Sequence, residues 1–246
     1  MSWFRCPETR PWASMRLFCL PHAGGSAVFY RPWAKAVSPA VEVQAVQYPG
    51  RADRLADALV TDPHQLARLV AGAMAPLMDR PAALFGHSMG AVLAYEVARL
   101  LQERGTPPVH VFASGARPPH DRPDERVAER DDDGVVEAML ELGGTDGEAM
   151  QDPELRELVL PYVRNDFALI ESYAHRDGTR LTVPVTAIIG DADPHVTEAQ
   201  AKGWAQVTGG RFALTVLPGG HFYLTDRQPQ VIAEIHRTLE VPAPPR

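Results

Sequence analysis

Cysteine is scarce in this chain: 246 residues hold two, Cys6 and Cys19. Two thiols make neither a disulfide framework nor a four-cysteine zinc site, and a reducing cytoplasm is the expected compartment. Long apolar runs are also missing. The N-terminal MSWFRCPETRPWASMRL contains no apolar core of a secretory signal. The longest charge-free apolar stretch, Pro81–Tyr95, includes His87, Ser88 and two glycines and falls short of the ~20 residues that span a bilayer. Positive charge is in deficit, with Lys+Arg 24 against Asp+Glu 31 and a net charge of −7. That balance argues against a nucleic-acid partner, as the missing span argues against a membrane. No internal repeat occurs at solenoid or propeller periods. What the chain does have is 45% apolar and 22% charged residues, enough to build a buried core at this length and too apolar for a disordered chain.

Short apolar runs alternate with segments of helical period. Arg16–Pro21, Val41–Val46, Ala82–Gly86, Val109–Ser114, Val183–Ile189 and Phe212–Leu217 read as strands. Asp62–Met78, Met89–Arg104 and a last segment around Gln230–Leu239 read as helices. This alternation predicts a mostly parallel sheet with helices on both faces. The rhythm breaks between about Pro118 and Arg180, where two helical patterns, Val135–Leu142 and Pro153–Tyr173, follow an acidic opening. Roughly 60 residues is too long for a connecting loop. The expectation is one domain over 1–246 with a helical lid inserted at about 118–180, over the carboxyl edge of the sheet where open α/β sheets place ligands. Charge divides along the same line: residues 121–180 carry 17 acids against 7 arginines, while the remainder nets +3.

Gly86-His87-Ser88-Met89-Gly90 stands between a strand and a helix, the context of a G-x-S-x-G nucleophile elbow. The turn projects the serine hydroxyl above the sheet, and the helix N-terminus offers positive potential to a developing oxyanion. Among nine histidines, His221 is the candidate base, because the Gly219-Gly220-His221 loop follows the last strand. His87 lies inside the elbow, and His64, His110, His120, His195 and His236 read as packing or surface residues. The orienting acid is Asp193 or Asp191, both in the loop after Val183–Ile189. The chain order serine, acid, histidine is that of α/β-hydrolases. Pro21-His22-Ala23-Gly24-Gly25-Ser26 is similar to an oxyanion-hole loop, with the N–H of Met89 as second donor. It has neither G-x-G-x-x-G nor a Walker lysine, so it is not a phosphate loop. No His/Asp cluster completes a metal site, and no cofactor is expected.

Five segments, LFCLPHAGGSAVFYRPWA, VQYPGRADRL, LFGHSMGAVLAYEVARLL, IIGDADPHV and LPGGHFYL, together resemble the motif set of the stand-alone type II thioesterases of polyketide and nonribosomal peptide biosynthesis. The resemblance runs from about Arg16 to Leu239. It implies an α/β-hydrolase fold with a mobile helical lid, and hydrolysis of acyl groups from the phosphopantetheine arm of carrier domains. It also implies Ser88, Asp193 and His221 as a triad, with the N–H groups of Ala23 and Met89 as the oxyanion hole. Carrier proteins are the implied partners of a monomeric, cytoplasmic enzyme of antibiotic biosynthesis. Arg51 and Arg54 are candidates for the pantetheine phosphate and for carrier docking. Leu158, Val163, Phe167, Ile170 and Tyr173 are candidates for an acyl chamber. A generic carboxylesterase or lipase of the same fold is the alternative.

Overall fold

The computed structural model describes residues 3–121, 126–143, 149–176, 178 and 180–242. Seven strands form one sheet: β1 (Phe4–Arg5), β2 (Met15–Leu20), β3 (Val41–Val46), β4 (Ala82–His87), β5 (His110–Ser114), β6 (Val185–Gly190) and β7 (Phe212–Leu217). Their order is β1-β3-β2-β4-β5-β6-β7, with β1 antiparallel to β3 and all other pairs parallel. The two-residue β1 escapes sequence reading because it is too short to show a period. Strands β3, β4, β5 and β6 are buried along their whole length, as a parallel sheet covered on both faces requires.

The helices are α1 (Arg31–Ala36), α2 (Pro63–Met74), α3 (Met89–Glu103), α4 (Asp132–Leu142), α5 (Pro153–Glu171), α6 (Glu198–Ala201), α7 (Tyr223–Asp226) and α8 (Gln228–Leu239). Local chemistry sets their starts. Asp62 caps α2 by accepting the Gln65 N–H, Asp131 caps α4 through the Gly134 N–H, and Asp152 caps α5 through those of Glu154 and Leu155. Proline takes the first position of α2 and α5, where no amide hydrogen is needed. One apolar core, including Leu66, Val70, Leu93 and Val97, lies between the sheet and α2 with α3. A second, with Trp33, Val231 and Ile235, lies between the sheet and α1 with α8.

The segment 118–180 runs between β5 and β6 and contributes α4 and α5 but, among its described residues, no strand. Positions 122–125, 144–148, 177 and 179 of it lie outside the described residues. The insertion has its own apolar cluster, including Val135, Met139, Leu160, Val163 and Phe167. Arg156–Asp133 at 2.5 Å and Arg164–Asp132 at 2.6 Å tie α4 to α5. Among the described residues no helix is long and apolar enough to cross a membrane.

Candidate active site

Ser88 sits between β4 and α3 with φ 54 and ψ −119, a conformation that costs a non-glycine residue energy and persists only where the surroundings over-determine it. The surroundings do so here. The Ser88 N–H donates to Ser114 O of β5 at 2.8 Å. A Cβ on Gly86 would stand 2.0 Å from Gly90 O, and one on Gly90 would stand 2.1 Å from Leu20 O. The β4–α3 turn is therefore pressed into β2 so closely that only glycine fits on either side of the serine. Gly90→Ala is expected to cost more than about 4 kcal/mol, because rigid backbone opposes the new methyl group. Chemical denaturation checks this, and a soluble variant of wild-type stability contradicts it.

The loop after β6 and the loop after β7 meet beside this turn. The Asp191 N–H donates to Leu217 O and the Ala192 N–H to Gly219 O, each at 2.9 Å. The Asp191 side chain accepts the Gly219 N–H at 2.9 Å. Asp191 therefore laces the two loops together, and it is Asp193 whose Oδ2 accepts from His221 Nδ1 at 2.9 Å. Asp193 Oδ1 accepts the His195 N–H, also at 2.9 Å. In the neutral ring, the His221–Asp193 contact selects the tautomer with the proton on Nδ1 and the lone pair on Nε2. Nε2 is buried and has no hydrogen-bond partner among the described residues. His221 borders one cavity together with Ser88.

Burial pushes the Asp193 carboxyl up, but the hydrogen bond and charge of His221, and the His195 N–H, outweigh it and hold the group below the usual aspartate range. A depressed carboxyl stabilises the fold above the ordinary aspartate pKa of about 4, and this contribution is lost as pH falls through the folded value. Asp193→Asn is accordingly expected to flatten the acid limb of the stability curve. Denaturant midpoints measured between about pH 5 and pH 2.5 check this, and identical limbs for the two proteins contradict it.

Two neutral histidines flank the site. His22 is buried, and burial with the charges of His221 and Arg51 pushes it down to about 3. His87 lies with its ring 4.9 Å from that of His221, and burial, His221 and His22 hold it well below the ordinary imidazole value. His87 Nδ1 meets Ser114 Oγ at 2.9 Å, Ser114 Oγ meets the Tyr223 hydroxyl at 2.6 Å, and that hydroxyl donates to Ile188 O. The chain of contacts joins the ends of β4, β5 and β6 to the start of α7 beneath the cavity. Ser114 lies outside every motif segment; Tyr223 falls within LPGGHFYL, but the motif does not reveal its contact with Ser114.

The cavity has a volume of about 270 Å³. His22, Ala23, Ser88, Met89 and His221 border it from the body, and Phe167 and Ile170 of α5 from the insertion. Met89 is the first residue of α3, so its N–H has no partner within the helix. His195, which sequence reading assigns to packing or surface, also borders the cavity and lies 5.5 Å from the His221 ring; its place in IIGDADPHV, two residues after Asp193, is the signal that marks it.

Several expected contacts do not occur. Arg51 and Arg54 are 2% and 7% exposed. Arg51 is ion-paired with Asp166 of α5. Arg54 bonds Asp57 and Gln47 O and stacks 4.3 Å from the Trp3 ring. Both guanidinium groups are buried and partnered within the chain, so neither is presented at the surface as a phosphate or docking cation would be. Among the described residues, the cations that border the cavity are Arg117, whose Nε donates to His195 O, and Arg130. Tyr173, just after α5, is buried with its hydroxyl donating to Glu96 of α3 at 2.6 Å, and does not line the cavity. Leu158 is exposed, and Val163 belongs to the insertion's own core. Of the five acyl-chamber candidates, Phe167 and Ile170 reach the cavity.

A mostly parallel sheet carrying a serine elbow after β4, an acid loop after β6 and a histidine loop after β7 defines an α/β-hydrolase. The thioesterase domain family matches residues 15–239, and the chain belongs to that family. It is 42% identical over 237 residues to the probable cadicidin biosynthesis thioesterase of Streptomyces griseus, covering 96% of this chain and 66% of that relative. It is 40% identical to thioesterase PikA5 of Streptomyces venezuelae, covering 97% of this chain and 86% of that one. The structure of the type II thioesterase BorB from the borrelidin biosynthetic cluster superposes with TM-score 0.89 at 38% identity, over 96% of each chain. The protein is thus a serine-hydrolase thioesterase of the type II group found with polyketide and nonribosomal peptide synthases.

Proposed function

We propose that this enzyme hydrolyses acyl thioesters carried on the phosphopantetheine arm of carrier domains, clearing misloaded or stalled acyl groups from an assembly line. The observation that carries the reading is the cavity itself. Ser88, His221, Ala23 and Met89 line it together with the apolar Phe167 and Ile170 of the insertion, which supports a site that takes a carbonyl and its acyl chain together. In this reading α4 and α5 form a lid. Ser88 Oγ attacks the thioester carbonyl while His221 Nε2 takes its proton. Asp193, bonded at Nδ1, stabilises the imidazolium. The N–H groups of Ala23 and Met89 receive the oxyanion, aided by the positive end of α3. The tetrahedral adduct expels the pantetheine thiol, and the acyl group remains on Ser88. Water, deprotonated by His221, then attacks the ester, the acid leaves, and Ser88 regains its proton.

The reading is tested by offering one acyl group on a holo-carrier protein, on N-acetylcysteamine and on an oxygen alcohol. An editing thioesterase shows the highest kcat/KM on the carrier and the lowest on the oxyester. Equal or better turnover of the oxyester assigns a general esterase instead.

A further inference from the structure

The oxyanion loop is held from the insertion. The His22 carbonyl accepts the Gly25 N–H at 2.9 Å, and Gly24 has φ +75. These are the marks of a β-turn over His22–Gly25 with glycine at its third position. Ala23 is the second residue of that turn, whose N–H the turn itself leaves without a partner. The peptide between Ala23 and Gly24 is the one that flips between turn types, so the direction of the Gly24 N–H reports the turn's state. That N–H donates to Asp166 Oδ2 of α5 at 2.8 Å.

Asp166 is 1% exposed and is held in place by Arg51. Arg51 Nη1 donates to Asp166 Oδ2 at 2.5 Å, and Nη2 to Oδ1 at 2.7 Å, a fork-to-fork pair with fixed geometry. Arg51 Nη1 also donates to Gly25 O at 3.1 Å, so the turn is gripped at the Gly24 N–H and at the Gly25 carbonyl. The guanidinium lies over the ring of Tyr48, 5.3 Å away in the body, and over that of Tyr162, 4.7 Å away in α5. Every contact between Asp166 and the turn crosses from the insertion to the catalytic body. A buried pair of this kind adds little stability over an apolar substitute but constrains geometry.

We propose that Asp166 is a positioning residue for the oxyanion hole, locking the His22–Gly25 turn in its active state only when α5 is seated on the body. The proposal rests on Ala23 serving as an oxyanion donor. Phe167, the next residue of α5, borders the cavity, so one turn of helix both touches the acyl group and sets the hole. An acyl chain that packs well against α5 thereby favours its own hydrolysis, which makes the insertion a gate on chemistry as well as on access.

Two variants separate this role from simple stability. Asp166→Asn removes the charge and keeps the shape. The double variant Arg51→Met with Asp166→Leu removes both buried charges and fills their space, and so is expected to fold. In both, amide exchange at positions 23–25 should rise at least about tenfold. The kcat should fall about 10- to 100-fold, part of the loss seen when an oxyanion donor is removed outright, with KM changed less than about threefold, the signature of a contact strongest in the transition state. Affinity for an alkyl boronic acid, which mimics the tetrahedral adduct, should fall in proportion to kcat. A folded double variant with wild-type exchange at this turn, or with wild-type kcat, overturns the proposal. Should Ser88→Ala keep its thioesterase activity, the serine mechanism fails, while the exchange measurement still decides whether Asp166 holds the turn.

Discussion

Ser88→Ala lowers kcat on an acyl thioester by about 10³- to 10⁶-fold, the range set by nucleophile removal in serine proteases. The expectation follows from the elbow. The turn spends backbone strain to hold one hydroxyl at the cavity wall, with φ 54 at a residue that has a side chain, and among the described residues no other nucleophile borders the cavity with a base beside it. Cys19 is buried in the sheet, where burial raises its thiol well above the ordinary value. It is not among the residues that border the cavity. Alanine fits the site without a clash, so stability is expected to stay within about 1 kcal/mol of wild type. Steady-state turnover with thiol release as the readout measures the loss; a variant within tenfold of wild type shows that another group attacks.

Asp193→Asn is expected to lower kcat about 10⁴-fold, whereas Asp191→Asn retains at least about a tenth of wild-type turnover. The two aspartates are separated by one residue and differ in what they touch. Asp193 accepts His221 Nδ1, and an asparagine amide there presents N–H or leaves the wrong tautomer, so that Nε2 no longer holds the lone pair needed to take the serine proton. Asp191 accepts the Gly219 N–H, a contact that an asparagine oxygen reproduces. Kinetics of the two variants side by side test the assignment, and a larger loss at Asp191 reverses it.

The body of the fold was legible because most strands are short apolar runs that glycine or proline ends, and each major helix has a cap or a stripe. Val41–Val46 and Phe212–Leu217 are strands with the very limits their sequence predicts. The expected helix over Gln230–Leu239 begins two residues earlier, at Gln228, because Pro229 fits a first turn. Strand β1 and helix α1 are too short to carry periodicity. The residues nearest the chemistry were legible where the motif itself demands them, as at Gly86, Ser88 and Gly90. Arg51 was misread because composition cannot tell a surface arginine from a buried one: its partner, Asp166, lies 115 positions away. The same holds for Tyr173 and Glu96, and for the Ser114–Tyr223 contact. Local sequence specifies strand ends and turns, and contacts made across the sheet edge or from the insertion leave no local trace.

This changes how the charge asymmetry acts. The acidic insertion is not held off from a basic body; at Arg51 the two are joined by a buried ion pair. Among the described residues, the cations that border the cavity are Arg117, after β5, and Arg130, just before α4.

The most direct test of the account is to trap the intermediate. Wild-type enzyme is mixed with an acyl-loaded holo-carrier, quenched in acid within a turnover, digested and analysed by mass spectrometry. The account predicts the acyl mass on the peptide containing Ser88, its appearance in step with release of carrier thiol, and no adduct in Ser88→Ala. Acyl release with no adduct at Ser88 at any quench time, and undiminished in Ser88→Ala, would contradict it.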